Sequence, residues 1–279
     1  MKNKKDFNYE KVLYSNLKFE PKIYETGSIF YRYHIKQLNE ITRGKKALRL
    51  LDIACGAGEL SKRISEKFPE LQYWACDISQ ASIKIASENP GKIKFFVSDA
   101  EKLKAKPNYF DIVIMNSVLD HLENPKKAIS EVLRVLKPGG IYISTTPIED
   151  DMTNIHGLLS KFKGFRKFRY KYLGHIHAFS RKSLKQMIEG GGFEINKNDF
   201  SWFYFSQIID ILYYPLLAVL GKGPEFSLNE FGKKGKNIDN IFVKYLRYSL
   251  GLIENVEDIV TAKIPIGFFD FIIAHKKIL

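Results

Sequence analysis

Hydrophobic and polar positions along the chain change their period several times, and each change marks a predicted element. Residues 28–43 repeat apolar positions at helical spacing, with Ser28 placed to cap and Gly44 to stop the helix. From Ala47 to Ala54 the chain is almost continuously apolar, which is the pattern of a parallel strand buried on both faces. A helix over Glu59–Phe68, a strand over Leu71–Cys76, a helix over Ser79–Glu88 and a strand over Ile93–Val97 follow. Phe110–Met115 reads as a fourth strand, Pro125–Leu136 as a helix, and Ile141–Thr145 as a fifth strand entered through Pro138-Gly139-Gly140. Strands alternating with helices of this length imply βαβ units and right-handed crossovers.

After Thr146 the alternation lapses. Residues 147–178 read as irregular, basic and aromatic. Ser180–Glu189 is a predicted helix, Phe193–Asn198 a sixth strand and Phe268–Ala274 a last one. The pattern predicts an α/β fold, a Rossmann-like, mostly parallel seven-stranded sheet with helices on both faces. An apolar helical insertion over 200–263 precedes the last strand. The core then spans 45–199 and 264–279, with a helical cap over 1–44 and a basic aromatic segment over 147–178 on the substrate side.

Composition narrows the class. With 279 residues, 45% hydrophobic and 27% charged, the chain is neither disordered nor fibrous. Two cysteines, Cys55 and Cys76, make no disulfide framework and no zinc motif. The charged start MKNKKDFNYEK lacks the apolar centre of a secretory signal, so a cytoplasmic location is expected. Lys and Arg outnumber Asp and Glu by 44 to 31, a net +13, which favours an anionic partner.

The strongest site signal is LLDIACGAGELS, residues 50–61. A strand ends, glycines let the backbone turn and approach a ligand, and a helix N-terminus begins. In an open parallel sheet this edge binds ligands. Asp77 ends the second strand, where a carboxylate can accept both hydroxyls of a ribose, and Asp99 follows the third. A glycine loop with two such carboxylates suits adenosine. A nicotinamide dinucleotide would also use Gly56, Gly58 and Asp77, but that fingerprint has Ser61 at its third glycine and no use for Asp99.

These residues resemble the class I S-adenosylmethionine-dependent methyltransferases, in particular the small-molecule type that includes the ubiquinone-biosynthesis O-methyltransferases. Asp52, Gly56 and Gly58 match the first motif, with Ala54 in place of its first glycine, and LKPGG at 136–140 matches the link into the fifth strand. The resemblance covers roughly residues 45–200 and the last strand. It implies S-adenosylmethionine as cofactor, with S-adenosylhomocysteine as product. It places Asp77 at the ribose, Asp99 at the adenine amino group, and Asn116 and Ser117 beside the methionine part. Ala54, Cys55, Ile78 and Ala100 complete the expected cofactor set.

NSVLDHLENP, residues 116–125, resembles the stretch in which such enzymes carry an acidic residue and a histidine, here Asp120 and His121. The quinone branch has a further carboxylate before that pair and binds a divalent metal. Ser117 stands at that place, so no metal is expected. His121 is a candidate general base, because its ordinary pKa is near neutrality, or alternatively a packing residue. His177, in GHIHAFS, is a second catalytic candidate or a structural hydrogen-bonding residue.

From Met152 to Ile188 there is no acidic residue, while Lys161, Lys163, Arg166, Lys167, Arg169, Lys171, Arg181, Lys182 and Lys185 all fall within. Such a block can grip phosphate, anionic lipid or RNA, or be merely a solvated face. Phe200–Leu220 is long enough to span a bilayer, but Asp210 and Pro215 interrupt it. It suits an in-plane membrane helix, a lid, core packing or a homodimer contact. The expected partners are a small-molecule acceptor and an anionic membrane surface on the inner face. Nucleic acid is less favoured, since no separate RNA-binding domain is visible. A methyltransferase for a small lipophilic or anionic acceptor, directed to oxygen, is the leading expectation; an RNA methyltransferase or a non-catalytic adenosyl-binding protein on the same fold are its alternatives.

Overall fold

A computed structural model describes residues 29–201, 207–208 and 266–277. Residues 1–28, and all of the expected 200–263 insertion except 200–201 and 207–208, lie outside the described residues. Seven strands form one sheet: β1 (Arg49–Ile53), β2 (Gln72–Asp77), β3 (Lys94–Val97), β4 (Phe110–Asn116), β5 (Leu136–Pro147), β6 (Phe193–Ser201) and β7 (Phe269–Lys276). Their order is β3-β2-β1-β4-β5-β7-β6. The first five strands run parallel, with Asp52 opposite both Ala75 and Ile114. β7 inserts antiparallel between β5 and β6. Between β1 and β4 the strand order reverses, which opens a crevice at the carboxyl ends of those strands.

Successive strand residues point to opposite faces, and both faces are covered. On one, Leu50, Tyr73, Ile112 and Ile143 pack with Tyr31 and Leu38 of helix α1 (Ile29–Thr42) and Ile64 of α2 (Glu59–Lys67). On the other, Leu51, Val113 and Tyr142 meet α4 (Pro125–Val135) through Ala128, Ile129 and Val132. Helix α7 (Arg181–Gly190) adds Leu184 and Ile188 to the same face. Burying a Val or Ile side chain fully is worth about 1.5–3 kcal/mol, so each of these stripes holds its helix firmly. The remaining crossover helix, α3 (Gln80–Ala86), links β2 to β3.

Local chemistry starts these helices where the sequence places them. Asn124 caps α4 by accepting from the Lys127 N–H at 3.1 Å, with Pro125 at the first position. Ser180 and Ser183 cap α7 reciprocally.

Two expectations need correction. The Pro138-Gly139-Gly140 segment is not a turn outside the sheet. It lies within β5 as an irregularity between the Leu136–Phe110 and Ile141–Ile112 pairings. Residues 147–178 are also not irregular throughout, since they contain α5 (Ile155–Leu159) and α6 (Lys163–Leu173). The local signals are an Asn154 cap, which accepts from the Gly157 N–H at 2.7 Å, and Gly174 closing α6 at φ 74°. The density of Lys and Arg hides α6 in the sequence, although one of those arginines, Arg169, is itself buried. Among the described residues no helix is long and apolar enough to cross a membrane.

Candidate active site

At the carboxyl ends of β1, β2 and β4 lies a cavity of about 410 Å³, large enough for a drug-sized ligand. The loop after β1 contributes Ala54, Cys55 and Gly56 to it. Gly58 forms the corner behind, at φ 77°, and a Cβ there would sit 2.8 Å from the Phe95 ring. Only glycine satisfies both demands. Ala54 takes a left-handed conformation too, at φ 59°, despite its Cβ. Strain of this kind marks a backbone held in place by its surroundings.

Asp77 and Ile78 line the cavity from the end of β2. One Asp77 oxygen accepts from the Gly56 N–H at 2.8 Å and the other from the Ser79 N–H at 2.9 Å. The carboxylate thereby ties the glycine loop to the second strand. Ile78 is 45% exposed, an apolar face beside that carboxylate. Asp99 and Ala100 come from the segment after β3, where Asp99 accepts from the Glu101 N–H at 2.8 Å. Asn116 and Ser117 come from the end of β4, and Ser117 is also left-handed, at φ 47°.

Asp52 is in a different position from its motif partners. It is buried away from the cavity and accepts from the Ser61 hydroxyl at 2.5 Å. Burial pushes its carboxyl up to about 7, opposed by the Ser61 hydrogen bond and assisted by the Asp77 charge. It braces the loop from beneath. Burial raises both cysteine thiols as well, so neither is a thiolate near neutrality.

Several contributors carry no signal in the local sequence. Ser79, Ser82 and Ser98 also line the cavity. His34 of α1 is fully buried, with Nε2 2.6 Å from Asn116 Oδ1, and Thr145 donates to the same oxygen at 3.0 Å. Asn116 Oδ1 can only accept, so His34 Nε2 carries the hydrogen. Burial lowers the His34 pKa to about 4, against the raising effect of Asn116.

On the far wall a cluster of charged and polar side chains begins at His121, which lines the cavity. Asp120 and His121 lie in a 3-10 turn, Leu119–His121, after β4. The N–H groups of Ile176 and His177 donate to the Asp120 carbonyl at 2.9 and 3.1 Å, which brings in the loop after α6. This sets the His175 ring 4.8 Å from the His121 ring, edge to face. His175 Nε2 lies 3.3 Å from Asp120 Oδ2 and His121 Nε2 lies 3.5 Å from the same oxygen. Glu149 contacts both His175 Nδ1 and Arg169, and Arg169 reaches His156. Burial is the main cause that lowers the His121 pKa, with Asp120 raising it and His175 lowering it.

The sequence expectation named His177, and the structure sets His175 against Asp120 and His121 instead. His177 Nε2 turns to the Glu123 carbonyl at 3.4 Å. Alternate residues of an extended segment face the same way, but here backbone bonds to Asp120 pin the segment and separate the two rings' surroundings. The basic block is also less uniform than its composition suggests. Arg169 is buried against Glu149, and Arg181 pairs with Asp151 at 3.0 Å and Asp270 at 3.1 Å. Lys161, Lys163, Arg166 and Lys167 are exposed.

A family model described as a methyltransferase domain matches residues 51–144. The ubiquinone/menaquinone biosynthesis C-methyltransferase UbiE of Shewanella pealeana is 30% identical over 177 residues, covering 56% of this chain and 70% of that protein. Among solved structures, phosphoethanolamine N-methyltransferase 2 of Haemonchus contortus, in complex with S-adenosyl-L-methionine, superposes with a TM-score of 0.56 at 17% identity. The match covers 98% of this chain and 60% of that one. The cyclase SpnF superposes with a TM-score of 0.55 at 21% identity, over 88% of this chain and 81% of that one. At these identities the structural likenesses show the fold, and a fold hosts more than one chemistry.

Proposed function

The chain belongs to the class I S-adenosylmethionine-dependent methyltransferases, and from that premise we propose that it methylates an oxygen of a small lipophilic or anionic acceptor. The observation that carries this reading is the cavity with Asp77 and Asp99 on one side and His121 on the other. When bound, S-adenosylmethionine supplies a methyl group already activated on a sulfonium. The glycine loop and Asp77 are suited to its ribose and amino-acid part, Ile78 to the face of its base, and Asp99 to the exocyclic amine. Little more than alignment is then required of the protein, and orientation alone can remove much of a barrier.

A hydroxyl acceptor has one further need, which is to lose its proton. His121 is the polar side chain of the cluster that reaches the cavity, with Asp120 and His175 behind it. That cluster supports an acceptor that must give up a proton to become nucleophilic, as a hydroxyl does, whereas a neutral amine already carries its lone pair and would make less use of it. The relative from Shewanella is named for transfer to carbon, so the accepting atom is the point to test.

The face around α5 and α6 supports a lipophilic or anionic acceptor. Phe162 is 66% exposed, Met152 and Leu158 are exposed as well, and so are Lys161, Lys163, Arg166 and Lys167 of the same stretch. Exposed apolar side chains in a stretch rich in lysine and arginine suit an anionic bilayer surface from which a greasy acceptor could be drawn.

Labelled donor incubated with lipid extract, quinol-type phenols, small acids and RNA is the deciding assay. Label is expected in an ether or ester of the lipid or small-acid pools. Label in RNA, or only in carbon-linked methyl groups, overturns the acceptor reading. Vesicle flotation tests the surface: the protein is expected to float with anionic vesicles, less so in high salt, and reversing Lys163, Arg166 and Lys167 to Glu is expected to abolish flotation.

A further inference from the structure

We propose that His34 is a positioning residue: it fixes the Asn116 amide with its nitrogen turned to the cavity, and the site thereby selects a ligand that carries a carboxylate at that end. The inference rests on reading the cavity as the S-adenosylmethionine site. It adds which side chain recognises the carboxylate of the amino-acid part, and what orients that side chain.

Helical spacing brings His34 to its place. Tyr31, His34 and Leu38 stand three and four residues apart on α1, and all three are buried. Tyr31 and Leu38 join the apolar cluster on that face of the sheet, with Leu50, Tyr73 and Ile112. His34 is a polar member of the same stripe, and it reaches the end of β4, where Nε2 lies 2.6 Å from Asn116 Oδ1. Thr145, which faces Asn116 across the β4–β5 pairing, donates to the same oxygen at 3.0 Å.

The histidine tautomer sets the direction of the amide. His34 Nδ1 is buried and has no hydrogen-bond partner among the described residues. A hydrogen on Nδ1 would be an orphaned buried donor, the rarer kind of unpaired group. The hydrogen therefore sits on Nε2, and the Asn116 atom that meets it must accept. With Thr145, two donors claim Oδ1 and occupy both of its lone pairs. The oxygen is thus tied back into the protein. The amide nitrogen, with its two N–H donors, is the polar end left for the cavity that Asn116 lines.

Donor and acceptor counting then gives the selectivity. The amino-acid part of the cofactor carries a carboxylate, which only accepts, and an ammonium, which only donates. An amide nitrogen serves the first and cannot serve the second. A reversed amide would present its oxygen and favour the ammonium instead. Hydrogen bonds to an ionised group are the stronger kind, so the orientation of one neutral amide can decide between ligands.

The test is calorimetric titration of the full chain with S-adenosylhomocysteine and with its decarboxylated analogue, which keeps the nucleoside, the thioether and the amine. The wild type is expected to prefer S-adenosylhomocysteine by roughly 10-fold or more. His34→Leu and Thr145→Val each remove one donor to Asn116 Oδ1. Each is expected to reduce that preference by roughly 5-fold or more, with the affinity for the analogue unchanged. His34→Gln keeps an N–H donor at about the same reach and is expected to restore the preference. A merely structural role would weaken both ligands alike. Circular dichroism identifies any variant that has not folded, and the remaining variants then decide. An unchanged preference in a folded Leu or Val variant overturns the proposal, as does an equal loss for the two ligands. Failure of the wild type to bind either ligand overturns the cofactor reading and this inference together, so the two failures are distinguishable.

Discussion

The two walls of the cavity are built in different ways. The wall at the glycine loop is backbone held by carboxylates at strand ends: Asp77 ties Gly56 and Ser79, and Asp99 ties Glu101. Its charged groups keep contact with the cavity. The wall that ends at His121 consists of buried charge gathered from afar. Asp120, Glu149, and the pair Arg169 and His175 come from three separate stretches of chain, and Asp120, Glu149 and Arg169 are each buried. Removing a group from the first wall exposes loop N–H groups to solvent or ligand. Removing one from the second leaves a charge in the interior. The first wall is therefore expected to report through ligand affinity and the second through stability.

The largest effect should come from Arg169→Met. It leaves Glu149 buried without its cation, and breaking a buried pair from one side costs about 3–5 kcal/mol. Urea denaturation should show this loss. A change under 1 kcal/mol, within the range of exposed pairs, would break the contrast between the walls.

His34 sharpens the comparison through pH, because it buttresses Asn116 of the cofactor side while being buried itself. Its pKa is about 4 in the fold against 6.5 in the unfolded chain, a gap worth about 3 kcal/mol. The lowered value means that this contribution is fully present above pH 6.5 and is lost as pH falls towards 4. Asp52 runs the other way, since a raised carboxyl favours the fold as pH falls below 7. The readout is therefore the difference between wild type and His34→Gln, which should shrink as the pH drops from 7 to 4. A constant difference would refute it.

On the cofactor side, Asp77→Ala should weaken S-adenosylmethionine binding by about 1–3 kcal/mol, roughly 5- to 150-fold, because ribose hydroxyls lose their acceptor in a closed site. Calorimetry measures this. The same variant should lose less stability than Arg169→Met; the reverse order would erase the distinction.

The smallest effect should be a gain. Ala54→Gly relieves a left-handed alanine at φ 59°, worth about 1 kcal/mol less the added freedom of the unfolded chain. A slight rise in the thermal midpoint is expected, and a fall would show that the Ala54 methyl packs usefully.

Local patterning made the sheet, its crossovers and the glycine loop legible. Buried parallel strands are apolar runs, and a glycine loop between strand and helix needs only neighbours in sequence to form. Asp77 ends β2 and Asp99 stands two residues after the end of β3, so their edge could be inferred from strand direction. Helix α6 was hidden because lysines and arginines dominate its composition, and Arg169 turns inward to meet Glu149, which sequence spacing does not reveal. The choice of His175 over His177 was equally hidden, since both stand on the same short segment.

The amino-acid order settled whatever follows from periodicity and adjacency: seven strands, helices on both faces, and a glycine loop flanked by acidic strand ends. Those features depend on a residue's near neighbours, and near neighbours are visible in one dimension. Tertiary structure decided that Asp52 braces the loop from beneath, that His34 meets Asn116, and that His175 joins Asp120 and His121. Each of these depends on which distant segments the packed sheet brings within 4 Å. At that range, burial and hydrogen-bond direction govern the chemistry, and neither is a property of a single stretch of chain.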